Sequence, residues 1–319
     1  MIIKPHTYPR ILKQLEALKR RIPPDHPKVS SITQSLAMRS AGYKGELNMQ
    51  HPLSFINDSL YQVFYDVRLE DRGNYFQMDV LLVSRNFIAI LEVKNIAGTL
   101  YFDTDFNQLI RIQNGLKEAF PDPLTQITRQ QAQFSNWLKS RDYFGIPVKS
   151  FVVISNPRTL LQALPDNTIP HSKVIHSSFI PSKITDLETL YTKPYLTENK
   201  MVNLTREILN SHRENHVNIL ELNQISKAEI IPGIHCPECF LLPIDRVYGN
   251  RWKCHNCGVI SNNAYIHSLS DYSLLISQSV TNKDARYFLK IDSRSIVSKM
   301  LNSMSIERIG NNKSSLYRL

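Results

Sequence analysis

The chain has 319 residues, of which 42% are hydrophobic and 21% are charged. This length exceeds one average domain, and this hydrophobic fraction is typical of folded proteins, so we expect two or three folded units and exclude a disordered chain. No apolar run approaches the roughly 20 residues that a membrane-spanning helix needs. The N-terminal residues, MIIKPH, lack a charged segment followed by an apolar stretch, so we expect no secretory signal and a cytoplasmic location.

The charge of the chain is strongly positive, with a net charge of +10 from 38 basic and 28 acidic residues. Such an excess favours a polyanionic partner, because Lys and Arg side chains that bind phosphates release counterions. A basic protein without such a partner has the same composition. Residues 281–319 carry eight Lys/Arg and three Asp/Glu, which is half of the whole excess. We therefore expect nucleic acid, and no membrane, as the partner.

The pattern of apolar residues predicts an α/β fold in the N-terminal half. Apolar residues three or four positions apart predict helices, and short apolar or alternating runs predict strands. The order helix, three strands, helix, strand indicates a mixed sheet flanked by helices. Residues 98–102 are expected to extend this sheet. The predicted helices cover residues 9–21, 27–47 and 124–139, and the predicted strands cover 61–69, 77–83, 87–93 and 151–154.

The second half predicts further parts. Short helices are expected at 187–191 and 201–212, and Pro232-Gly233 marks a boundary. We therefore predict four parts: a first domain at 1–180 that includes the N-terminal helices, a helical connector at 181–232, a cysteine-bearing unit at 233–262 and a C-terminal unit at 263–319.

Two carboxylates and a lysine are predicted to meet at one end of the first sheet. Asp79 and Glu92 lie on neighbouring apolar strands, and Lys94 points to the same face as Glu92 because side chains alternate along a strand. Buried carboxylates are costly unless they are paired or bind a cation. Oxygen ligands hold Mg²⁺, and a lysine beside the ion suits phosphodiester hydrolysis. The alternative is an ion pair of Lys94 with Glu92 or Asp79, which is common for isolated triplets of this kind.

Four segments in order carry a family resemblance: GE at 45–46, QMDVLLVS at 77–84, LEVKN at 91–95 with Gly98, and PLTQ at 123–126. Together they resemble the nuclease-related domain (NERD) family over residues 43–154. That family is assigned to the restriction-endonuclease-like, or PD-(D/E)xK, superfamily. The resemblance implies a restriction-endonuclease-like mixed sheet and a metal-dependent nuclease, although a fold alone does not establish activity.

The resemblance also implies roles for particular residues. Asp79 and Glu92 would bind Mg²⁺ or Mn²⁺, with the carbonyl group of Val93 as a further ligand, and Lys94 would be the catalytic lysine.

Two more residues take roles from the same resemblance. Glu46 would be a further acidic ligand or would position a water molecule. Gln126 would orient a water molecule or contact a phosphate. Each has a structural alternative: Glu46 as a solvated helix residue, and Gln126 as a cap of its helix. No position of the family signature is substituted in this chain.

The four cysteines form two CxxC pairs, Cys236 with Cys239 and Cys254 with Cys257, separated by 14 residues. Each pair can present two thiolates to one tetrahedral ion, and this gap suits a β-hairpin. The motif is similar to a zinc ribbon, as found in topoisomerase-type C-terminal modules. Four cysteine ligands leave no open position, so we predict structural Zn²⁺. A redox role is the weaker alternative, because it needs only one pair.

Aromatic and basic residues lie on the predicted ribbon strands. Tyr248, Arg251, Trp252 and Lys253 could stack on and attract single-stranded nucleic acid. The alternative for Trp252 is packing over the metal site.

The C-terminal unit resembles a winged helix-turn-helix domain. Helices are predicted at 271–276, 282–289 and 293–303, and the turn GNNK at 310–313 predicts a hairpin between strands at 305–308 and 314–319. In such a domain the last helix enters the DNA groove and the hairpin contacts phosphates. A helical module that binds protein is the alternative. The residues expected to contact DNA are Arg294, Ser295, Ser298, Lys299, Lys313 and Arg318.

The resulting hypothesis is a Mg²⁺-dependent nuclease, most simply acting on DNA, whose zinc ribbon and winged helix hold the substrate. The alternatives are a DNA-binding or regulatory protein that uses the nuclease fold without catalysis, and a scaffold whose C-terminal modules bind protein.

Overall fold

A computed structural model of the chain describes most of its residues. The described ranges are 1–57, 59–162, 172–248, 251–310 and 315–319.

The described residues form two compact units. The first unit contains Met1–Thr7 and Ala41–Asn215, and the second contains Tyr8–Ser40 and His216–Leu319. This grouping differs from the predicted boundaries, because the N-terminal helix that was assigned to the first domain lies in the second unit. An amphipathic pattern shows that a helix buries one face, but it does not specify what covers that face. Among the described residues, no helix is long and apolar enough to cross a membrane.

The helices are numbered in chain order. They are α1 (Arg10–Arg21), α2 (Val29–Leu47), α3 (Gln50–Leu53), α4 (Pro123–Lys139), α5 (Ile180–Leu190), α6 (Glu198–Ser211), α7 (Ile219–Asn223), α8 (Ala264–Leu275), α9 (Asn282–Leu289) and α10 (Arg294–Ser303).

The strands are numbered in the same way. They are β1 (Ile2–Lys4), β2 (Gln62–Asp71), β3 (Asn74–Val83), β4 (Ile88–Lys94), β5 (Thr99–Asp103), β6 (Gln108–Gln113), β7 (Leu116–Pro121), β8 (Val148–Ile154), β9 (Leu160–Gln162), β10 (Val174–His176), β11 (Asp245–Tyr248), β12 (Arg251–Lys253), β13 (Ile260–Ser261), β14 (Ser279–Thr281), β15 (Arg308–Ile309) and β16 (Leu316–Arg318).

A six-stranded mixed sheet forms the centre of the first unit, in the order β1-β2-β3-β4-β8-β10. β2, β3 and β4 are antiparallel neighbours, whereas β1 joins β2 in parallel and β4, β8 and β10 run parallel to one another. Apolar side chains of α4 and α6 cover one face of the sheet, and those of α3 and α5 cover the other. The predicted α/β class, with a mixed sheet flanked by helices, is confirmed.

A second sheet lies beside the first one in the same unit, in the order β7-β6-β5-β9. Residues 98–102 were expected to extend the main sheet, but they begin this second sheet instead. Gly98 explains the difference, because its φ is +107° and an added Cβ would lie 2.6 Å from the carbonyl oxygen of Ile112. A left-handed residue this close to another backbone turns the chain out of the main sheet.

The helix α4 begins at Pro123, one residue before the predicted start at 124. Asp122 is its N-cap, and the carboxylate accepts hydrogen bonds from the backbone N–H groups of Leu124 (3.0 Å) and Thr125 (2.8 Å). Pro123 occupies the first turn, where its fixed φ and missing N–H cost nothing.

In the second unit, α1 packs against α8 over a core that contains Leu15, Leu18 and Leu269. The cysteine-bearing segment forms a small antiparallel sheet in the order β11-β12-β13. The C-terminal segment has the order α8, β14, α9, α10, β15, β16, and β16 lies between β14 and β15. α9 has the predicted bounds, whereas α8 begins seven residues before the predicted start at 271.

Candidate functional site

The candidate site of the first unit lies where the ladder between β3 and β4 ends. The last regular pair is Val80 with Leu91. One residue further, Asp79 lies half-buried, and its Oδ2 accepts a hydrogen bond from the backbone N–H of Val93 at 2.8 Å. A carboxylate thus takes the place of a backbone carbonyl and turns toward the strand that carries Glu92.

A break in the neighbouring ladder accompanies this arrangement. β2 and β3 pair on both sides of Asp66 and Asp79, but not at that position itself. Asp66 has a φ of +53°, a conformation that costs a non-glycine residue about 1 kcal/mol. The ammonium group of Lys4 donates to the carbonyl oxygens of Tyr65 (2.9 Å) and Asp66 (3.0 Å) and so stabilises the break. Such irregularities re-aim side chains near functional sites.

Glu92 is the centre of a hydrogen-bond network and is only 4% exposed. Its Oε1 accepts hydrogen bonds from Lys94 Nζ at 2.7 Å and from Gln126 Nε2 at 2.6 Å. Its Oε2 accepts one from Gln130 Nε2 at 2.7 Å, and that amide also donates to the carbonyl oxygen of Gln77 at 2.8 Å. Gln130 was not among the predicted site residues. Its position one helical turn after Gln126 was the signal that the sequence contained.

Lys94 is held from two sides, because its Nζ also donates to Gln126 Oε1 at 3.0 Å. The ion pair of Lys94 with Glu92 that was considered as an alternative is therefore formed. It is one contact of a larger cluster, however. Gln126 bonds both members of the pair, and the capping alternative for Gln126 is filled by Asp122 instead.

Glu46 reaches the same region from α2. Gly45 lets this helix approach the sheet closely, because a Cβ at Gly45 would lie 2.5 Å from Asn95 Cβ and 2.8 Å from Ser155 Oγ. The carboxylate of Glu46 is 25% exposed and lies 2.7 Å from Nε2 of His6. His6 was not predicted, because it is distant in sequence and lies outside every segment of the resemblance.

The charges of the cluster act on one another. Burial raises the pKa of Asp79 well above its ordinary value, and the carboxylates of Glu92 and Glu46 raise it further. The ammonium group of Lys94 and the N–H of Val93 act in the opposite direction. A carboxylate whose pKa is raised by desolvation and by neighbouring carboxylates is stabilised by either a proton or a cation.

The donor set fits a hard divalent cation. Asp79 Oδ1 has no hydrogen-bond partner among the described residues, and Glu92 Oε2 accepts only one. In the described part of the chain, these carboxylates do not form a group of three ligand atoms within 4.8 Å of one another. Mg²⁺ characteristically binds one or two carboxylates and completes its shell with water and phosphate oxygens.

The four cysteines form a second cluster, in the second unit. All four sulfur atoms lie within 4.8 Å of one another, and the sulfurs of Cys236 and Cys257 and of Cys239 and Cys254 are 3.6 and 3.5 Å apart. These distances exclude disulfides. They agree with the spacing of about 3.8 Å that follows from Zn–S bonds of about 2.3 Å in a tetrahedron. The predicted four-cysteine cluster is confirmed as a possible zinc site.

The two cysteine turns have the same backbone design. Gly258 follows the second pair with a φ of +75°, and Phe240 occupies the equivalent position after the first pair with a φ of +62°. The side chain of Asn256 lowers the pKa of the Cys239 thiol to about 6. Although the N–H of Val259 acts in the opposite direction, burial and the other three cysteines raise the pKa of Cys257 to about 12.

The aromatic residues of the ribbon have different environments. Trp252 is 2% exposed, and its ring packs against that of Tyr265 with 5.7 Å between centroids. Trp252 is therefore a buried core residue, and the ring that it packs against is Tyr265. Tyr248 is 83% exposed, and Arg251 and Lys253 are exposed on the neighbouring strand.

The predicted DNA contacts lie in the C-terminal segment. Arg294, Ser295 and Lys299 are exposed on α10. Ser298 is only partly exposed, and its Oγ accepts a hydrogen bond from Asn282 Nδ2 at 3.1 Å, which connects α10 to α9. The exposed Arg318 forms an ion pair of 2.8 Å with Glu307. Lys313 lies outside the described residues.

Comparison with protein families identifies the part of the chain that carries the first cluster. The family described as the nuclease-related domain, NERD, matches residues 41–155. This part of the chain is therefore a nuclease-related domain, as the sequence resemblance predicted. Comparisons with curated proteins and with solved structures gave no significant match. Asp79, Glu92, Lys94, Gln126 and Glu46 all lie inside the matched residues.

Proposed function

We propose that this protein is a metal-dependent nuclease that hydrolyses phosphodiester bonds in DNA. The observation that carries the proposal is the network in which Lys94 and Gln126 contact Glu92 beside Asp79, inside a nuclease-related domain. Carboxylates, an amide and an ammonium group at the end of two strands are the groups that such a reaction needs.

Asp79 and Glu92 would hold Mg²⁺ or Mn²⁺, with the carbonyl group of Val93 as a third ligand. When bound, the ion polarises the phosphate and lowers the pKa of a water molecule. The raised pKa of Asp79 supports this assignment, because a cation relieves the repulsion between the carboxylates.

Lys94 would orient the attacking water or neutralise charge on the phosphate. Its hydrogen bonds to Glu92 and Gln126 fix the ammonium group in one place, which is the positioning that catalysis requires. Gln126 would contact the water or the phosphate, and Glu46 would be a further acidic group beside Asp79.

The C-terminal part would bind the substrate. The cysteines would hold structural Zn²⁺, and the segment from α8 to β16 has the element order of a winged helix-turn-helix domain. Its exposed basic residues and the net charge of the last 39 residues favour DNA. The chain would then have a nuclease domain, a connector, a zinc ribbon and a winged helix, with Tyr8–Ser40 grouped with the C-terminal parts and not with the nuclease domain.

A cleavage assay with Mg²⁺ and with Mn²⁺, on single- and double-stranded DNA and RNA, tests this proposal. We expect cutting of DNA that requires the metal and that falls at least about a hundredfold in Lys94→Ala, and similarly in Asp79→Ala and Glu92→Ala. Lys139→Ala, at the exposed end of α4, is the matched lysine control and should cut normally. Cutting that survives all three site substitutions would show that the activity belongs elsewhere or to a contaminant.

A DNA-binding protein without catalysis is the second candidate. The observation that favours it is the closed network around Glu92, in which three side chains already bond both carboxylate oxygens. This candidate predicts salt-dependent DNA binding. Lys94→Ala should leave the affinity unchanged, whereas the double substitution of Arg294→Glu and Lys299→Glu should weaken it. Point substitutions are preferable to truncation, since Tyr8–Ser40 belong to the same unit as the C-terminal residues.

A further inference from the structure

The N-terminal strand is fixed on the main sheet next to the candidate nuclease site. β1 pairs in parallel with β2 through Ile2 and Lys4. The N-terminal ammonium group donates to the carbonyl oxygen of Tyr61 at 2.6 Å, which ties down the first residue as well. Lys4 stabilises the break at Asp66, as described above. These contacts therefore fix the position of His6, which lies two residues after Lys4.

The imidazole of His6 is enclosed. Its side chain is 1% exposed, its ring stacks on Tyr43 of α2 with 4.8 Å between centroids, and it meets the ring of Tyr65 edge-on at 5.7 Å. Its Nδ1 is buried without a hydrogen-bond partner among the described residues. If the hydrogen is on Nε2, the unpartnered Nδ1 carries a lone pair and not an N–H group. We therefore assign this tautomer, in which Nε2 donates a hydrogen bond to Oε2 of Glu46 at 2.7 Å.

Among the described residues, this is the one hydrogen bond that the carboxylate of Glu46 makes. The side chain of a glutamate has three rotatable bonds, and without a partner it samples many conformers. Gly45, the neighbour of Glu46, lies against Asn95, which directly follows Lys94, and this contact brings Glu46 to the site. The carboxylate of Glu46 accordingly raises the pKa of Asp79. The direction of the Glu46 carboxylate therefore affects the site, and the hydrogen bond to His6 fixes this direction.

We propose that His6 is a positioning residue of the nuclease site, which holds the carboxylate of Glu46 toward Asp79. The site then depends on residues 1–7, which precede the matched nuclease-related domain at 41–155. This inference rests on the proposed function only in taking Asp79, Glu92 and Glu46 as a divalent-cation site.

Calorimetric titration of the zinc-loaded full chain with Mn²⁺ tests the proposal without relying on cleavage. His6→Phe keeps the stacked ring and removes the N–H donor, and it should weaken Mn²⁺ binding by about 10- to 100-fold, as loss of partners that orient ligands does. Glu46→Gln should weaken it by a similar factor. The double variant should be no weaker than Glu46→Gln alone, because His6 acts through Glu46.

Conservative rescue and a control complete the design. His6→Gln, which keeps an N–H donor, should recover most of the affinity. His51→Phe, at an exposed histidine of the same unit, should bind Mn²⁺ as the wild type does. Unchanged Mn²⁺ affinity in His6→Phe, or independent effects that add in the double variant, would overturn the proposal.

A spectroscopic measurement keeps the proposal testable if His6→Phe does not fold. With ¹⁵N-labelled histidine, the Nε2 resonance of His6 should differ between the wild type and Glu46→Gln, and the same resonance in both proteins would contradict the contact. The proposed function fails separately, when the wild type does not cut nucleic acid or when Lys94→Ala cuts as well as wild type. The Mn²⁺ titrations of the single and double variants measure binding and not cleavage, so they report on His6 in either case.

Discussion

The two clusters of candidate metal ligands differ in how their side chains are arranged. The four sulfurs of the second unit lie within 4.8 Å of one another, and each pair comes from one tight turn. The carboxylates of the first unit come from α2, β3 and β4, and the oxygens of Glu92 are already bonded to Lys94, Gln126 and Gln130.

This difference matches two kinds of site. A cluster of four thiolates leaves no open position and gains its stability from the ion, which is the chemistry of a structural site. A carboxylate whose oxygens are bonded by amides and a lysine can exchange these partners for a substrate, which suits a reaction site. If this contrast is correct, loss of zinc should unfold its surroundings, whereas changes in the carboxylate cluster should affect activity more than folding.

Loss of the zinc site should have the largest effect on stability. Zinc contributes about 10–16 kcal/mol to the folding of small zinc domains, so Cys254→Ser should abolish zinc binding and unfold the ribbon. Trp252, which is buried over Tyr265, should then become exposed, with a red shift of its fluorescence. Zinc content and tryptophan emission measure the result. Asp79→Asn should keep its zinc, and a fully zinc-loaded Cys254→Ser protein would contradict the assignment.

The close approach of α2 to the sheet should have the next largest effect. A Cβ at Gly45 would lie 2.5 Å from Asn95 Cβ, so Gly45→Ala should lower the free energy of unfolding by about 2 kcal/mol, as overpacking does. It should also displace Glu46 and reduce cutting. Urea unfolding and the cleavage assay measure the two effects.

The same helix contains a matched control. Gly42 has nothing within 4 Å of an added Cβ, and alanine is preferred over glycine in a helix by up to about 1 kcal/mol. Gly42→Ala should therefore be neutral or stabilising and should cut normally. Equal effects of the two substitutions would mean that the contact with Asn95 does not position α2.

The same contrast explains which parts could be predicted from the sequence. The cysteine cluster was predictable because its geometry follows from two local turns, and β2, β3, β4 and α4 were predictable because burial on each face sets their apolar period. His6 and Gln130 were not, because their contacts depend on how distant segments pack. β7 also escaped prediction, since it is almost entirely exposed and has no apolar pattern. β6 was missed as well, although its Leu109 and Ile110 are buried. The DNA contacts on α10 stay predictions.

The pH dependence of stability should be gradual, and it distinguishes the carboxylate cluster from an ordinary group of surface acids. The pKa of Asp79 is well above 3.8 in the folded chain, mainly because of burial. Between 3.8 and this raised value, the folded chain keeps a proton that the unfolded chain has lost. The stabilisation is complete at low pH and is lost as the pH rises through that window, by up to about 1.4 kcal/mol per pH unit.

Asp79→Asn removes this dependence, because the amide is always neutral and its oxygen can still accept the N–H of Val93. Urea unfolding of both proteins across the window, with zinc as the only divalent cation, should show the wild type losing stability relative to Asp79→Asn as the pH rises. Added Mg²⁺ should restore the wild type, more strongly at higher pH where Asp79 is ionised, and should leave Asp79→Asn nearly unchanged. Parallel curves for the two proteins would show that Asp79 is not a strained carboxylate. A cation would then have no repulsion between carboxylates to relieve. The contrast between the carboxylate cluster and the cysteine cluster would therefore fail.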